Sequence, residues 1–187
     1  MSKKVLFIVG SLRKGGFNKT VADYAASVLE NAGAEVEFLD YANIPYMNQD
    51  IEFPAPAEVA AVREKVITAD GLWYVTPEYN GSVPGVLKNL FDWLSRPLDP
   101  SKMAEPRILA NKPVTISGAG GATATLNSRT HLAEISRNLV GGGSAVIGGH
   151  GVGIQIPGEA WGSGVLTLSD EQKHELNRQA EEFLASL

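Results

Sequence analysis

Between Gly10 and Asn18 the chain gathers a hydroxyl (Ser11), a guanidinium (Arg13), an amide (Asn18) and the glycines Gly10, Gly15 and Gly16. Residues of these types, so closely spaced, can cradle an anion. Glycines let backbone N–H groups come close to it, and hydroxyl and guanidinium groups add donors. The flanking residues indicate how those donors are aimed. Val5, Leu6, Phe7, Ile8 and Val9 form an unbroken apolar run of strand length before the loop, while Val21, Ala25, Val28, Leu29 and Ala32 recur at helical spacing after it. A loop that runs from a buried strand into a helix presents unpaired N–H groups and the positive end of the helix dipole, which suits a phosphate. The competing reading is a plain tight turn with Arg13 and Lys14 in solvent.

Two common phosphate loops are excluded. Gly10 and Gly15 have the separation of the nucleoside-triphosphate loop, but Gly16 and Phe17 stand where it needs lysine and a hydroxyl residue. Leu12 stands where the dinucleotide fingerprint needs its second glycine. The expected ligand is therefore a monophosphate held without a metal.

Elements further along the chain position this loop. Val36, Phe38 and Leu39 read as a second strand, Leu72–Val75 as a third, Val114–Ser117 as a fourth and Ala145–Ile147 as a fifth. Between them lie helical stripes: Val59, Val62, Val66 and Ile67; then Val83 to Leu94, with Ser82 as a cap and Pro84 in the first turn; then Leu132, Ile135 and Leu139. Ser169 to Gln172 is a capping box that starts a last helix with Leu176, Ala180, Phe183 and Leu184 inward. Residues 150–168 are glycine-rich without a period and are expected to be irregular. The span Arg96 to Asn111 is long for a loop, and Met103, Ile108 and Leu109 there could pack on a second subunit.

Strands alternating with helices imply one domain over residues 1–187, a three-layer α/β/α sandwich with a five-stranded parallel sheet in the flavodoxin-like order 2-1-3-4-5. The ligand site of that arrangement lies at the C-terminal ends of strands one, three and four. Polar or glycine-rich loops fall at those ends: Ser11 to Asn18, Thr76 to Ser82, and Ser117 to Gly121.

Composition narrows the function. A net charge of -5 argues against nucleic acid or an anionic membrane as partner, and the absence of cysteine removes disulfides, thiolate metal sites and cysteine nucleophiles. His131, His150 and His174 lack zinc-like spacing, so no metal is expected. The chain opens on a short strand without a signal-peptide pattern, which leads to the expectation of a soluble, cytoplasmic protein.

Two segments carry a resemblance. Gly10-Ser11-Leu12-Arg13 through Asn18 resembles the phosphate loop of the NADPH-dependent FMN reductase family, and Thr76-Pro77-Glu78-Tyr79-Asn80-Gly81-Ser82-Val83-Pro84 resembles that family's flavin-ring loop. Pro45 to Asp50 is similar to its loop after the second strand. The resemblance implies non-covalent FMN, NADPH or NADH as co-substrate, a homo-oligomer (dimer or tetramer), and a small acceptor such as a quinone, chromate, an azo compound or free flavin. It places Ser11, Arg13, Gly16, Phe17 and Asn18 around the FMN phosphate, with backbone N–H groups substituting at Gly16 for a serine common in the family. It places Pro77, Glu78, Tyr79 and Asn80 along one edge of the ring, and Ser117, Gly118, Gly120 and Gly121 against the ring or ribityl chain.

No side chain is assigned to acid–base catalysis, because the flavin itself accepts and passes on the hydride. Glu78 has no partner acid nearby in sequence, so a positioning or capping role suits it better than catalysis. Three rivals remain: an FMN electron carrier without its own NAD(P)H activity, a ligand-sensing or scaffold protein, and a dinucleotide dehydrogenase. The last is disfavoured because Thr123 replaces the third glycine of a near-fingerprint at Gly118 to Thr123.

Overall fold

The computed structural model of the chain describes residues 2–187. The unbroken apolar run becomes strand β1 (Lys4–Val9), and β3 (Gly71–Val75) is buried at every position. Strands apolar on both faces need cover on both faces, and helices supply it. On one side, α1 (Phe17–Asn31) and α6 (Asp170–Ala185) pack Val21, Ala25, Leu29, Leu176 and Phe183 against Phe7 and Trp73. The Phe7 and Trp73 rings stack 5.3 Å apart, and Phe183 meets Trp73 edge-on at 5.7 Å. On the other side, α2 (Ala57–Thr68), α3 (Gly85–Leu94) and α4 (Leu126–Arg137) cover Leu6, Ile8, Leu72, Tyr74 and Ile116.

The strand order is β2-β1-β3-β4-β5, all parallel, with β2 at Glu35–Phe38, β4 at Pro113–Gly120 and β5 at Ala145–Val146. The register runs Val5↔Gly71 to Val9↔Val75, which brings the ends of β1 and β3 level where the loops begin. The three-layer, flavodoxin-like arrangement expected from the sequence is present.

The sheet has six strands, not five. β6 (Val152–Gln155) pairs with Ser117–Gly120 of β4, on the same edge that β5 occupies further down. The fifth strand position is thus filled by two short strands with a glycine turn between them. A further helix, α5 (Gly158–Ser163), follows β6. Both lie in the stretch expected to be irregular. Their cause is tertiary. Arg129 on α4 is buried, and its Nη1 donates to the carbonyls of His150 and Gly151 at 2.8 and 2.6 Å. A Cβ at Gly153 would lie 2.3 Å from that guanidinium, so only glycine leaves room for it.

Three local expectations also change. β4 continues through Gly120, so Gly118 to Gly120 are strand residues and not loop. The N-cap of α3 is Pro84, because Ser82 is engaged in a turn with Tyr79. Leu109 is fully buried in the core of its own chain and does not face a second subunit, whereas Met103 is exposed. The capping box of α6 forms as expected, with Gln172 N–H on Ser169 Oγ and Ser169 N–H on Gln172 Oε1.

Candidate functional site

At the C-terminal end of the sheet a cleft of about 260 Å³ opens between the first, third and fourth strand ends. Ten of the expected site residues line it: Ser11, Arg13, Gly16, Phe17, Asn18, Pro77, Glu78, Tyr79, Gly120 and Gly121. Asn80, Ser117 and Gly118 do not.

The first wall is the cradle. Gly10 can leave β1 there because its N–H bonds to the Val75 carbonyl at 2.8 Å and because Leu87 and Pro77 press against the space a side chain would need. Gly15 sits at φ +64, a turn conformation that L side chains resist. α1 then begins with Gly16 as N-cap, without a side-chain cap. Gly16 N–H bonds to Arg13 O, Lys19 N–H bonds to Gly16 O, and the N–H groups of Phe17 and Asn18 have no protein acceptor among the described residues. Both residues line the cleft, so the positive end of the helix dipole lies at its wall. Asn18 does not offer its side chain: the amide is buried, donating to the Ala119 carbonyl at 3.0 Å and accepting the Ala119 N–H at 2.9 Å. This pair of bonds ties the start of α1 to β4 and sets the width of the cleft. The Arg13 guanidinium is exposed and lies 5.6 Å from the Phe17 ring centroid.

The second wall is the loop after β3. Glu78 caps α4 from outside: its carboxylate accepts from the N–H groups of Asn127 and Ser128 at 3.0 and 3.3 Å, from Asn127 Nδ2 at 3.2 Å and from Thr123 Oγ1 at 3.2 Å. Burial alone would raise its pKa, but these donors outweigh burial and hold it below the ordinary carboxylate value. With its lone pairs so engaged, Glu78 is a structural anion and a poor general base. Tyr79 N–H and Ser82 N–H exchange bonds with each other's carbonyls at 3.0 and 3.1 Å around Asn80 and Gly81, both at positive φ. This is the tight Asn-Gly hairpin turn; Asn80 does not line the cleft, while Tyr79 stands half exposed at its mouth. The Asn-Gly pair was the signal for it in the sequence.

The third wall is the end of β4. Gly120 and Gly121 put no side chain into the cleft. Ser117 and Gly118 lie one strand pleat too deep. Ser117 is fully buried, accepting from Trp73 Nε1 at 3.0 Å and donating to Gln179 Oε1 at 2.8 Å. A Cβ on Gly118 would fall 2.2 Å from Thr125 Oγ1 and 2.3 Å from the Thr76 carbonyl, so this glycine serves packing.

Two lining residues have no warning in the sequence, Ile156 and Trp161. Trp161 lies on α5 and meets Phe17 edge-to-face at 5.2 Å, closing the phosphate side of the cleft. It sits in the stretch without periodicity, where only tertiary contacts place it. The loop after β2 is held otherwise: Pro45 O accepts from Asn89 Nδ2 and Trp93 Nε1 at 3.0 and 2.8 Å, and Tyr46 projects into solvent without lining the cleft.

The donor set suits a phosphorylated flat ring. Free N–H groups and a guanidinium lie at one end, side-chain-free strand ends at the other, and the carboxylate in between is neutralised by a helix start. Among the described residues no group of His, Asp and Glu could hold a metal ion.

These features define a flavodoxin-like cleft of the mononucleotide kind, and sequence comparisons agree. The NADPH-dependent FMN reductase family model matches residues 3–151. A 2-hydroxy-1,4-benzoquinone reductase of a Burkholderia species is 40% identical over 140 residues, 74% of this chain and 73% of that protein. A quinone reductase of Escherichia coli K12 is 43% identical over 141 residues, 72% of this chain and 71% of its own length. Among solved structures, FerB, a flavoenzyme NAD(P)H:(acceptor) oxidoreductase from Paracoccus denitrificans, superposes with a TM-score of 0.76 at 24% identity over 98% of both chains, a likeness of fold. The chain belongs to the NADPH-dependent FMN reductase family. It is an NAD(P)H-dependent oxidoreductase of that family, with FMN as its cofactor.

Proposed function

We propose that the chain passes reducing equivalents from NADH or NADPH, through FMN in this cleft, to a quinone or a similarly flat small acceptor. The observation that carries the reading is the cleft itself: phosphate donors at one end, bare glycine strand ends at the other, and no free acid or base between them. A bound FMN would supply the hydride-accepting and electron-passing chemistry that no side chain of the cleft provides.

The chain's own residues bind and orient. The Phe17 and Asn18 N–H groups, Ser11 and Arg13 hold the phosphate. Asn18, by gripping Ala119, fixes the spacing between the phosphate end and the ring end. Gly120 and Gly121 admit the ring edge, and Pro77 to Tyr79 close the opposite edge, held in place by Glu78 on α4. Trp161 and Ile156 exclude water from the phosphate end. Tyr79, exposed at the mouth, stacks on incoming flat molecules. We place the protein in the cytoplasm as one FMN-binding unit, assembled with copies of itself; among the described residues no helix is long and apolar enough to cross a membrane.

The test is an anaerobic spectrum. The purified protein loaded with FMN should bleach on NADPH or NADH alone and recover its colour on adding a benzoquinone. Bleaching by dithionite but by neither nicotinamide would favour an electron carrier, and a protein that takes up no FMN would refute the reading.

A further inference from the structure

The phosphate loop has a second cavity on its other flank. A groove of about 350 Å³ runs between this loop and the end of β2, and it shares only Ser11 and Arg13 with the flavin cleft. Its floor is apolar: Val9, Leu12, Phe38 and Leu39, with Tyr41 closing one end by donating its hydroxyl to the Val9 carbonyl at 2.7 Å. Its rim is charged. Lys19 lies 4.3 Å from the Phe38 ring centroid, where it also meets Asp23. Lys14 is exposed and has no ion-pair partner among the described residues, and neither has Asp40, whose carboxylate accepts only the Ala42 N–H at 3.2 Å. Lys14, Lys19 and Asp40 do not line the flavin cleft.

We propose that this groove binds the adenosine half of the nicotinamide dinucleotide, a reading that rests on the NAD(P)H dependence above. Three features fit that ligand. An aliphatic floor of Val9, Leu12 and Leu39, with Lys19 over the Phe38 ring beside it, suits a flat purine. Lys14 and Lys19 suit the phosphates that join the two nucleotides. Asp40 stands just past the end of β2, the place from which a carboxylate in open α/β folds accepts a hydrogen bond from a ribose hydroxyl. Because the groove and the flavin cleft flank one loop, a two-ended donor can lay its nicotinamide toward the flavin and anchor its far end here. Binding energy from that far, unreacting end then serves the hydride step. Asp40 is also the discriminating group, since its charge opposes the 2′-phosphate that distinguishes NADPH from NADH.

The test compares donors with and without the adenosine half. In the FMN-loaded enzyme, with FMN in excess, Lys14→Glu should raise KM for NADH and NADPH at least about tenfold more than KM for reduced nicotinamide mononucleotide, which lacks adenosine. Asp40→Asn should improve NADPH relative to NADH by about tenfold. Equal effects on all three donors, or no effect on any, would overturn the assignment. A direct titration keeps the groove testable apart from the chemistry. Adenosine 5′-diphosphate, which has the adenosine and the joined phosphates but no 2′-phosphate, should give a calorimetric binding signal with the wild type that Lys14→Glu weakens; no signal with the wild type would also overturn the proposal. An enzyme whose flavin no nicotinamide reduces would sink the functional reading, while this titration still decides the groove.

Discussion

The loop at residues 10–18 and the stretch at 148–168 both end at the same cleft, but they are specified in different ways. The first is written locally. An apolar strand, a glycine loop and a helix start follow one another, and each is signalled by its own residues. The second takes its shape from elsewhere. Gly151 sits at φ +65, where a Cβ would fall 1.7 Å from the Ile116 carbonyl, and Gly153 gives way to Arg129. The phosphate loop therefore tolerates change in structure and pays for it in binding, whereas the C-terminal stretch should do the reverse.

That contrast can be broken first at its strongest point. Gly151→Val should destabilise the fold by about 3 kcal/mol or more, read from urea unfolding, because it adds both a clash and a strained backbone. A loss under 1 kcal/mol would mean that β6 is not locked as described. In the phosphate loop, Arg13→Ala should weaken FMN by about 2 kcal/mol in a fluorescence-quenching titration, yet move unfolding by less than about 0.5 kcal/mol. A variant that unfolds instead would erase the distinction between the two regions.

Glu78 lies between these extremes, and its effect depends on pH. Glu78→Gln keeps the shape but removes the charge from the start of α4, at a cost of about 1 kcal/mol near neutral pH. Since the folded-state pKa of Glu78 is lowered, its stabilisation is full above the unfolded carboxyl value of about 4.3 and fades as pH falls through the lower folded value. Unfolding curves of the two proteins should differ at pH 7 and converge in stronger acid. A gap that persists unchanged would deny the charge its role. The smallest effect is expected at Gly16. Its φ of -75 is open to any residue, and a Cβ would approach the Arg13 carbonyl only to 3.3 Å, so Gly16→Ser should fold normally. The added hydroxyl should tighten FMN by about 1 kcal/mol in the same quenching titration, and weaker binding would show that this N-cap is already full.

The same contrast explains what was legible in the sequence. β1, β3, α1 and α6 announce themselves by apolar runs, helical spacing and a capping box, and their order indicates a sheet with ligand loops at one end. The capping role of Glu78 could be anticipated because it had no acidic partner nearby. The resemblance implies that Ser117 and Gly118 meet the ligand, and a serine and a glycine at a strand end look like a binding loop. In the structure the strand runs on through Gly120, and alternation along the strand turns Ser117 toward Trp73 and Gln179. Asn18 lines the cleft, but its amide is spent on Ala119, a partner far along the chain that no local pattern reveals. β6 and Trp161 were hidden for the same reason. Their positions follow from Arg129 and from packing on Phe17, and neither contact leaves a period in the sequence.

On this reading, one end of the cleft holds the FMN phosphate. That is tested most directly by titrating the flavin-free protein with FMN and with riboflavin, which is the same ring without the phosphate. Two charge-assisted hydrogen bonds to the phosphate predict that FMN binds at least about 100-fold more tightly. Equal affinities for the two flavins would contradict the account.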